Sequence, residues 1–149
     1  MPKGKEQFYG WEIISHLAKV NSQIPFFVAG TDGEGLAKAE NIYFLGHLSG
    51  EKMKELQMSL PIYIRITKHD GYPYSVIEAL SYGSEVIWSI DHECCHFVDS
   101  LDNAEIILRK VVSDLLQNGL ARNKENISFI RESFSKDKIL GAWAKKLPY

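Results

Sequence analysis

The residues best suited to chemistry lie in one stretch, Thr67-Lys-His-Asp-Gly-Tyr-Pro-Tyr-Ser-Val-Ile-Glu78, which leads from an apolar segment into a helical one. Asp70 falls at the carboxyl end of the expected strand and Glu78 in the first turns of the expected helix, with seven residues between them. Both carboxylates can then face one crevice, with the free N–H groups of the helix start between them. Such donors, carrying about half a positive charge, suit a diphosphate, and flanking carboxylates suit sugar and ribose hydroxyls. A nucleotide sugar has all of these groups. The same residues have plain structural readings: Ser75-Val-Ile-Glu78 has the spacing of a capping box, and Asp70-Gly71 that of a turn.

Alternating strands and helices must position this stretch. Phe8, Trp11, Ile14, Leu17 and Ala18 recur at helical spacing, and the apolar runs Ile24–Gly30, Ile42–Gly46, Ile62–Ile66 and Glu85–Ser89 read as short buried strands. Helices are expected from Ser49 to Pro61 and from about Ser75 to Tyr82, the latter stopped by Gly83. Asp102 and Glu105 have capping-box spacing ahead of a long apolar-periodic helix, and the tail after Gly119 reads as helical throughout. Nearly all-apolar strands alternating with helices indicate an α/β domain with a parallel sheet covered on both faces. Ligands of such sheets bind beyond the carboxyl ends of the strands, which directs attention to the loops after Gly30, Ile66 and Ser89.

With these elements in place, Arg65-Ile-Thr-Lys-His-Asp-Gly-Tyr-Pro-Tyr-Ser-Val-Ile-Glu-Ala-Leu-Ser-Tyr-Gly83 resembles the donor-site signature of the group 1 (family 4) glycosyltransferases. Phe26-Phe-Val-Ala-Gly30, Ile42-Tyr-Phe-Leu-Gly-His47 and the segment from Ser135 to Leu147 extend the likeness weakly along the chain. The resemblance implies a Rossmann-like three-layer αβα domain, residues 1–149, equivalent to the C-terminal half of a GT-B enzyme, with the acceptor-binding N-terminal domain absent and supplied in cis or in trans. It implies a retaining transfer from a nucleoside-diphosphate sugar in polysaccharide or glycoconjugate synthesis, without a required metal or other cofactor, and negligible transfer by this half alone. Asp70 then stands where the family has an acid, usually Glu, that touches the donor sugar, and Glu78 where its acid binds the ribose. Gly71, Tyr72 and Pro73 correspond to the loop whose backbone approaches the phosphates, Tyr74 and Ser75 complete the donor-binding set, and Arg65, Lys68 and His69 are further contacts.

The chain departs from the family at its start, where a strand ending in an Arg and a Lys is expected. Lys3 or Lys5 stands in for that lysine, the arginine has no counterpart, and a sheet without that central strand has a gap. This departure and the Asp at the first acidic position favour a second reading: a non-enzymatic nucleotide- or partner-binding module of the same fold.

Composition narrows the remaining classes. The 149 residues are 45% hydrophobic, enough for one domain with its own core. With 17 Lys+Arg against 19 Asp+Glu, the net charge of −2 excludes sequence-independent nucleic-acid binding. No run reaches the roughly 18–20 apolar residues of a membrane span, and the charged Met1–Glu6 start is unlike a signal peptide, which points to the cytoplasm. Adjacent Cys94 and Cys95 cannot staple distant segments. His92-Glu-Cys-Cys-His96 is too tightly spaced to close a zinc tetrahedron and reads as strand and loop, with no metal assigned. Gly30-Thr-Asp-Gly-Glu-Gly35 places acids where a phosphate loop would have none, and reads as a tight turn. The tail's basic residues, Arg122, Lys124, Arg131, Lys136, Lys138, Lys145 and Lys146, read as a solvated face. Interleaved with apolar residues, they also fit packing on a missing domain or, second, peripheral contact with an anionic membrane.

Overall fold

Backbone pairing begins with five short strands, none longer than five residues, in a computed structural model that describes residues 4–5, 7–36, 39–71 and 73–138. Their order with the helices is α1 (Trp11–Val20), β1 (Phe26–Ala29), β2 (Ile42–Gly46), α2 (Gly50–Ser59), β3 (Ile62–Arg65), α3 (Tyr74–Ser81), β4 (Glu85–Trp88), β5 (His96–Phe97), α4 (Leu101–Gln117) and α5 (Lys124–Ser133). All pairings are parallel, so the fold is mixed α/β, but the strands form two sheets, β1-β2 and β3-β4-β5. Among the described residues the parallel strands are therefore divided between β1 and β3, and a gap is expected in a sheet without its first, central strand.

The second sheet is covered on both faces because its side chains alternate. In β4, Ile87 joins Leu17 of α1 and Leu108 and Val111 of α4 in one core cluster, while Val86 and Trp88 join Val76 and Leu80 of α3 and Ile130 of α5 in another. Among the described residues, the first sheet is covered on one face only. Phe26, Val28, Ile42 and Phe44 enter the α1–α4 core, whereas Phe27 and Tyr43 stack on the opposite face with centroids 5.4 Å apart and stay 40% and 50% exposed. This corrects the expectation that all strands are buried on both faces.

One helix ties the sheets together. At the start of α1, Gly10 lies so close to Ile66, just beyond β3, that any Cβ would overlap the Ile66 side chain. At its end, the buried Asn41 amide reaches the carbonyls of Ala18, Asn21 and Ile24 at 2.7–3.1 Å, immediately before β2. α1 thus runs antiparallel to the strands, from the carboxyl end of β3 to the amino ends of β1 and β2.

Several local expectations are revised by capping geometry. Ser100, accepting from the Asn103 N–H, caps α4 in place of an Asp102–Glu105 box, and Glu105 instead meets His16 and Arg109 at 3.1 and 2.6 Å. α3 starts after Pro73 without a side-chain cap, so the Ser75–Glu78 box does not form. The tail is not continuously helical: Gly119–Asn123 is a connection, α5 follows, and residues beyond 138, with most of the expected closing helix, lie outside the described residues. Arg122 is turned inward rather than solvated. It donates to the carbonyls of Met58 and Leu60 at the end of α2 and to the Ser84 hydroxyl, while Asn126 donates to the Ser84 carbonyl at 3.0 Å.

Gly83 makes the α3–β4 turn, as its sequence context required. Its φ is +73°, and the N–H groups of Gly83 and Ser84 return to the carbonyls of Leu80 and Ala79. A Cβ there would lie 2.9 Å from Ile127 and 3.1 Å from the Asn123 carbonyl, whereas none of the described residues would touch one at Gly119, where φ is +64°. Gly119→Ala is expected to cost about 1–2 kcal/mol of backbone strain, and Gly83→Ala about 1–3 kcal/mol more through overlap, read from urea midpoints.

Candidate functional site

Two adjoining cavities open where strands β3, β4 and β5 end. The larger, about 620 Å³, is lined by Gln7, Phe8 and the first turn of α1 on one side, and by Ile66, Thr67, Lys68, Ser89 and Phe97–Asp99 on the other. The smaller, about 320 Å³, is lined by Gly4, Lys5, Gln7, Phe8 and Lys68. Gln7, Phe8 and Lys68 form the shared wall.

Each wall has a local cause. The Ser89 hydroxyl accepts from the Thr67 N–H at 2.8 Å and donates to the Thr67 carbonyl at 2.7 Å, locking the two strand ends together. The Lys68 N–H donates to the Phe8 carbonyl at 3.0 Å, which holds the segment before α1 against the end of β3. Phe8 packs edge-on against His69, at 4.9 Å between centroids, and Trp11 leans on Phe44. Because the first helical bond is Ile14 N–H to Gly10 carbonyl and no side chain caps α1, the N–H groups of Trp11, Glu12 and Ile13 have no helical acceptor among the described residues. Those donors, with Lys5 and Lys68, favour an anion; Glu12 and Asp99 supply carboxylates on the same walls.

The expected site residues divide between this cavity and the loop beside it. Of them, Lys68 lines both cavities and Lys5 the smaller; Lys3 and Tyr72 lie outside the described residues. Asp70 turns toward its own strand: its carboxylate accepts from Arg65 Nε at 2.5 Å and from the Thr67 hydroxyl at 3.3 Å, with the Arg65 and Asp70 side chains 23% and 13% exposed. Burial works to lower the Arg65 pKa, yet the Asp70 hydrogen bond and neighbouring Tyr63 hold it above its ordinary value. Glu78 is exposed on α3, and its carboxylate meets no hydrogen-bonding or ionic partner among the described residues. Gly71, Pro73, Tyr74 and Ser75 lead into α3, where buried Gln57 donates to the Ser75 carbonyl at 3.1 Å.

The strand-end rule identified the loops after Ile66 and Ser89, both of which line the cavity, and also the loop after Gly30, which does not. That loop is a tight turn closed by Thr31 and Asp32, whose side chains accept from the Gly33 and Glu34 N–H groups. Phe97–Asp99 went unmarked because β5 is only two residues long. Gln7 and Phe8 carry no motif; the glycine ahead of Trp11 was the available signal for a close approach.

The Cys/His stretch is not convergent. His96 turns to Glu85 at 2.9 Å, whereas His92 Nδ1 accepts from the Cys94 N–H at 3.3 Å. Burial raises both thiols, Cys95 to about 12, so they stay protonated at neutral pH. No family model matches the sequence, and no curated protein aligns with it significantly.

Two measurements test this geometry. Arg65→Gln and Asp70→Asn, alone and combined, are expected to show a coupling energy of about 1–3 kcal/mol; additive losses would mean the ion pair does not form. Glu85 is held below its ordinary 4.5 by its hydrogen bond to His96, against the opposing effect of burial, with Asn123 adding to the lowering. Its contribution is therefore full above pH 4.5 and lost as pH falls through the lowered value. Glu85→Gln should flatten the urea-midpoint profile in that acid range.

Proposed function

We propose that this chain is the donor-binding domain of a retaining glycosyltransferase, Rossmann-like in its αβα arrangement and acting in the cytoplasm on a nucleoside-diphosphate sugar. The observation that carries the reading is the joining of two cavities at the strand ends. Lys5 and Lys68 line the smaller, while the uncapped start of α1, with Glu12, and Asp99 line the larger. Paired lysines and helix donors suit a diphosphate; carboxylates beside aromatic walls suit hydroxyls and a flat ring. The Arg65–Gly83 stretch, with its acids at Asp70 and Glu78, supplies the likeness to glycosyltransferases.

In the proposed reaction the bond between the sugar's anomeric carbon and the diphosphate oxygen breaks, and an acceptor hydroxyl oxygen bonds to that carbon on the same face. The acceptor's proton leaves with the diphosphate. Lysine charge and N–H donors aimed at the departing diphosphate lower the barrier by stabilising the charge that develops on it. The acceptor site belongs to a second domain, in cis or in trans, acting on a saccharide or lipid-linked acceptor.

The Asp70–Arg65 pair favours one alternative. A carboxylate held by its own strand is not presented to a sugar, which suits a module that binds a nucleotide or partner without transfer.

Titration with UDP, GDP, ADP and their sugar conjugates separates these readings. A donor domain should be stabilised by one nucleotide, more by its sugar conjugate, with Lys5→Ala and Lys68→Ala each weakening binding about tenfold. Equal binding of nucleotide and conjugate supports the module; no binding by any of them defeats both nucleotide readings.

A further inference from the structure

The connection between α4 and α5 places a reactive pair of residues in the open. Residues 116–121 are all exposed, and of the six asparagines in the chain only Asn118 is followed by glycine. The carbonyl carbon of an asparagine side chain lies within reach of the next backbone nitrogen, and a glycine there puts no side chain across the line of attack. Apart from its chain neighbours, no described residue comes within 4 Å of where a Gly119 Cβ would stand.

The other asparagines are held. Asn21, Asn41 and Asn126 are buried and donate to the carbonyls of Leu17, Ile24 and Ser84, while the side-chain oxygens of Asn103 and Asn123 accept from the Asp99 and Asn126 N–H groups. The Asn118 side-chain amide has no hydrogen-bonding partner among the described residues. Its backbone neighbours are strained: Gly119 and Leu120 are both left-handed, at φ +64° and +58°, and Leu120 is the one non-glycine of that kind among the described residues. The Leu120 N–H is held firmly, 2.7 Å from the Leu115 carbonyl, but the Gly119 N–H, the attacking group, reaches the Leu116 carbonyl only at 3.3 Å. Reaction requires that longer bond to open and Asn118 ψ to turn from 12°, a local opening confined to exposed residues.

We infer that Asn118-Gly119 is a modification site at which the chain deamidates itself, and that the product loosens the clasp between the α4–α5 connection and the start of β4. The Gly119 nitrogen gives up its proton to solvent base and bonds to the Asn118 side-chain carbonyl carbon. The bond from that carbon to the amide nitrogen breaks, and the nitrogen takes a proton from water and leaves as ammonia. Water then adds to either carbonyl of the resulting succinimide ring and opens it, giving aspartate or an isoaspartate through which the backbone runs by way of the side chain. Water is the only co-reactant.

Both products act on the same contacts. A carboxylate at residue 118 sits at the carboxyl end of α4, four residues after Asp114, where the helix dipole and a like charge both oppose it. Isoaspartate also adds a methylene to the backbone just ahead of residues that must reach back: Arg122 to the Met58 and Leu60 carbonyls, and the Asn123 N–H to the Gly83 carbonyl at 2.9 Å. This inference does not depend on nucleotide binding.

Timed incubation of the intact folded chain in mildly alkaline buffer, with peptide mapping and isoaspartyl methyltransferase labelling, is the test. Residue 118 should be modified about tenfold faster than any other asparagine, and Gly119→Ala should slow it about tenfold. Because that substitution also strains the turn, an effect of turn opening alone would raise the rate instead, and an unchanged or raised rate would overturn the proposal. In the purified isoaspartate form the Asn123 amide should exchange about tenfold faster than in the unmodified chain, with a lower urea midpoint. Modification of residue 118 in the urea-unfolded chain but not in the folded one would overturn the site, as would modification spread evenly over the asparagines. An isoaspartate form that keeps the Asn123 exchange rate and urea midpoint of the unmodified protein would overturn the loosening.

Discussion

The arrangement of the two sheets about α1 depends on the close approach of Gly10 to Ile66, where backbone meets side chain with no room for a Cβ between them. The contact sets where α1 begins, and with it the direction of the uncapped N–H groups, the cavity walls and the edge between the sheets. The opposite end of α1 is fixed differently, by one buried amide satisfying carbonyls that would otherwise be left in an apolar setting. One end is defined by shape and the other by polarity, so the helix has little freedom to slide along either sheet.

The elements were legible because their signals are local. Ile42–Gly46 was bounded without error by its apolar run, and Ser49 and Gly83 marked a helix start and a turn through chemistry that needs only neighbouring residues. What escaped was set by tertiary competition. Asp102 lost the cap to Ser100 by two positions, and Arg122, one cation among many in a basic tail, found carbonyls far away in sequence. Sheet continuity was also beyond periodicity, which reports burial of side chains and says nothing about which edges meet.

The candidate site shows the same division. The stretch around Asp70 and Glu78 has the residue types of a sugar-nucleotide site, and its neighbour Lys68 does reach the cavity. Asp70 could not be placed from spacing, because its partner Arg65 precedes it on a strand and competes for the same carboxylate. Neither α1 nor α3 has a side-chain cap, and of the two only the start of α1 lines the larger cavity. An absent cap is a weak signal in a sequence but leaves open donors in a structure.

Arg122 connects to Leu60 across 62 residues, and Asn126 to Ser84 across 42. During synthesis, the end of α2 and the turn into β4 must wait for the α4–α5 connection to leave the ribosome before their carbonyls are satisfied. The amino-terminal elements therefore spend much of translation as an open assembly with unpaired strand edges, the state most exposed to aggregation. Closure of the domain is a late event, completed from its carboxyl-terminal side.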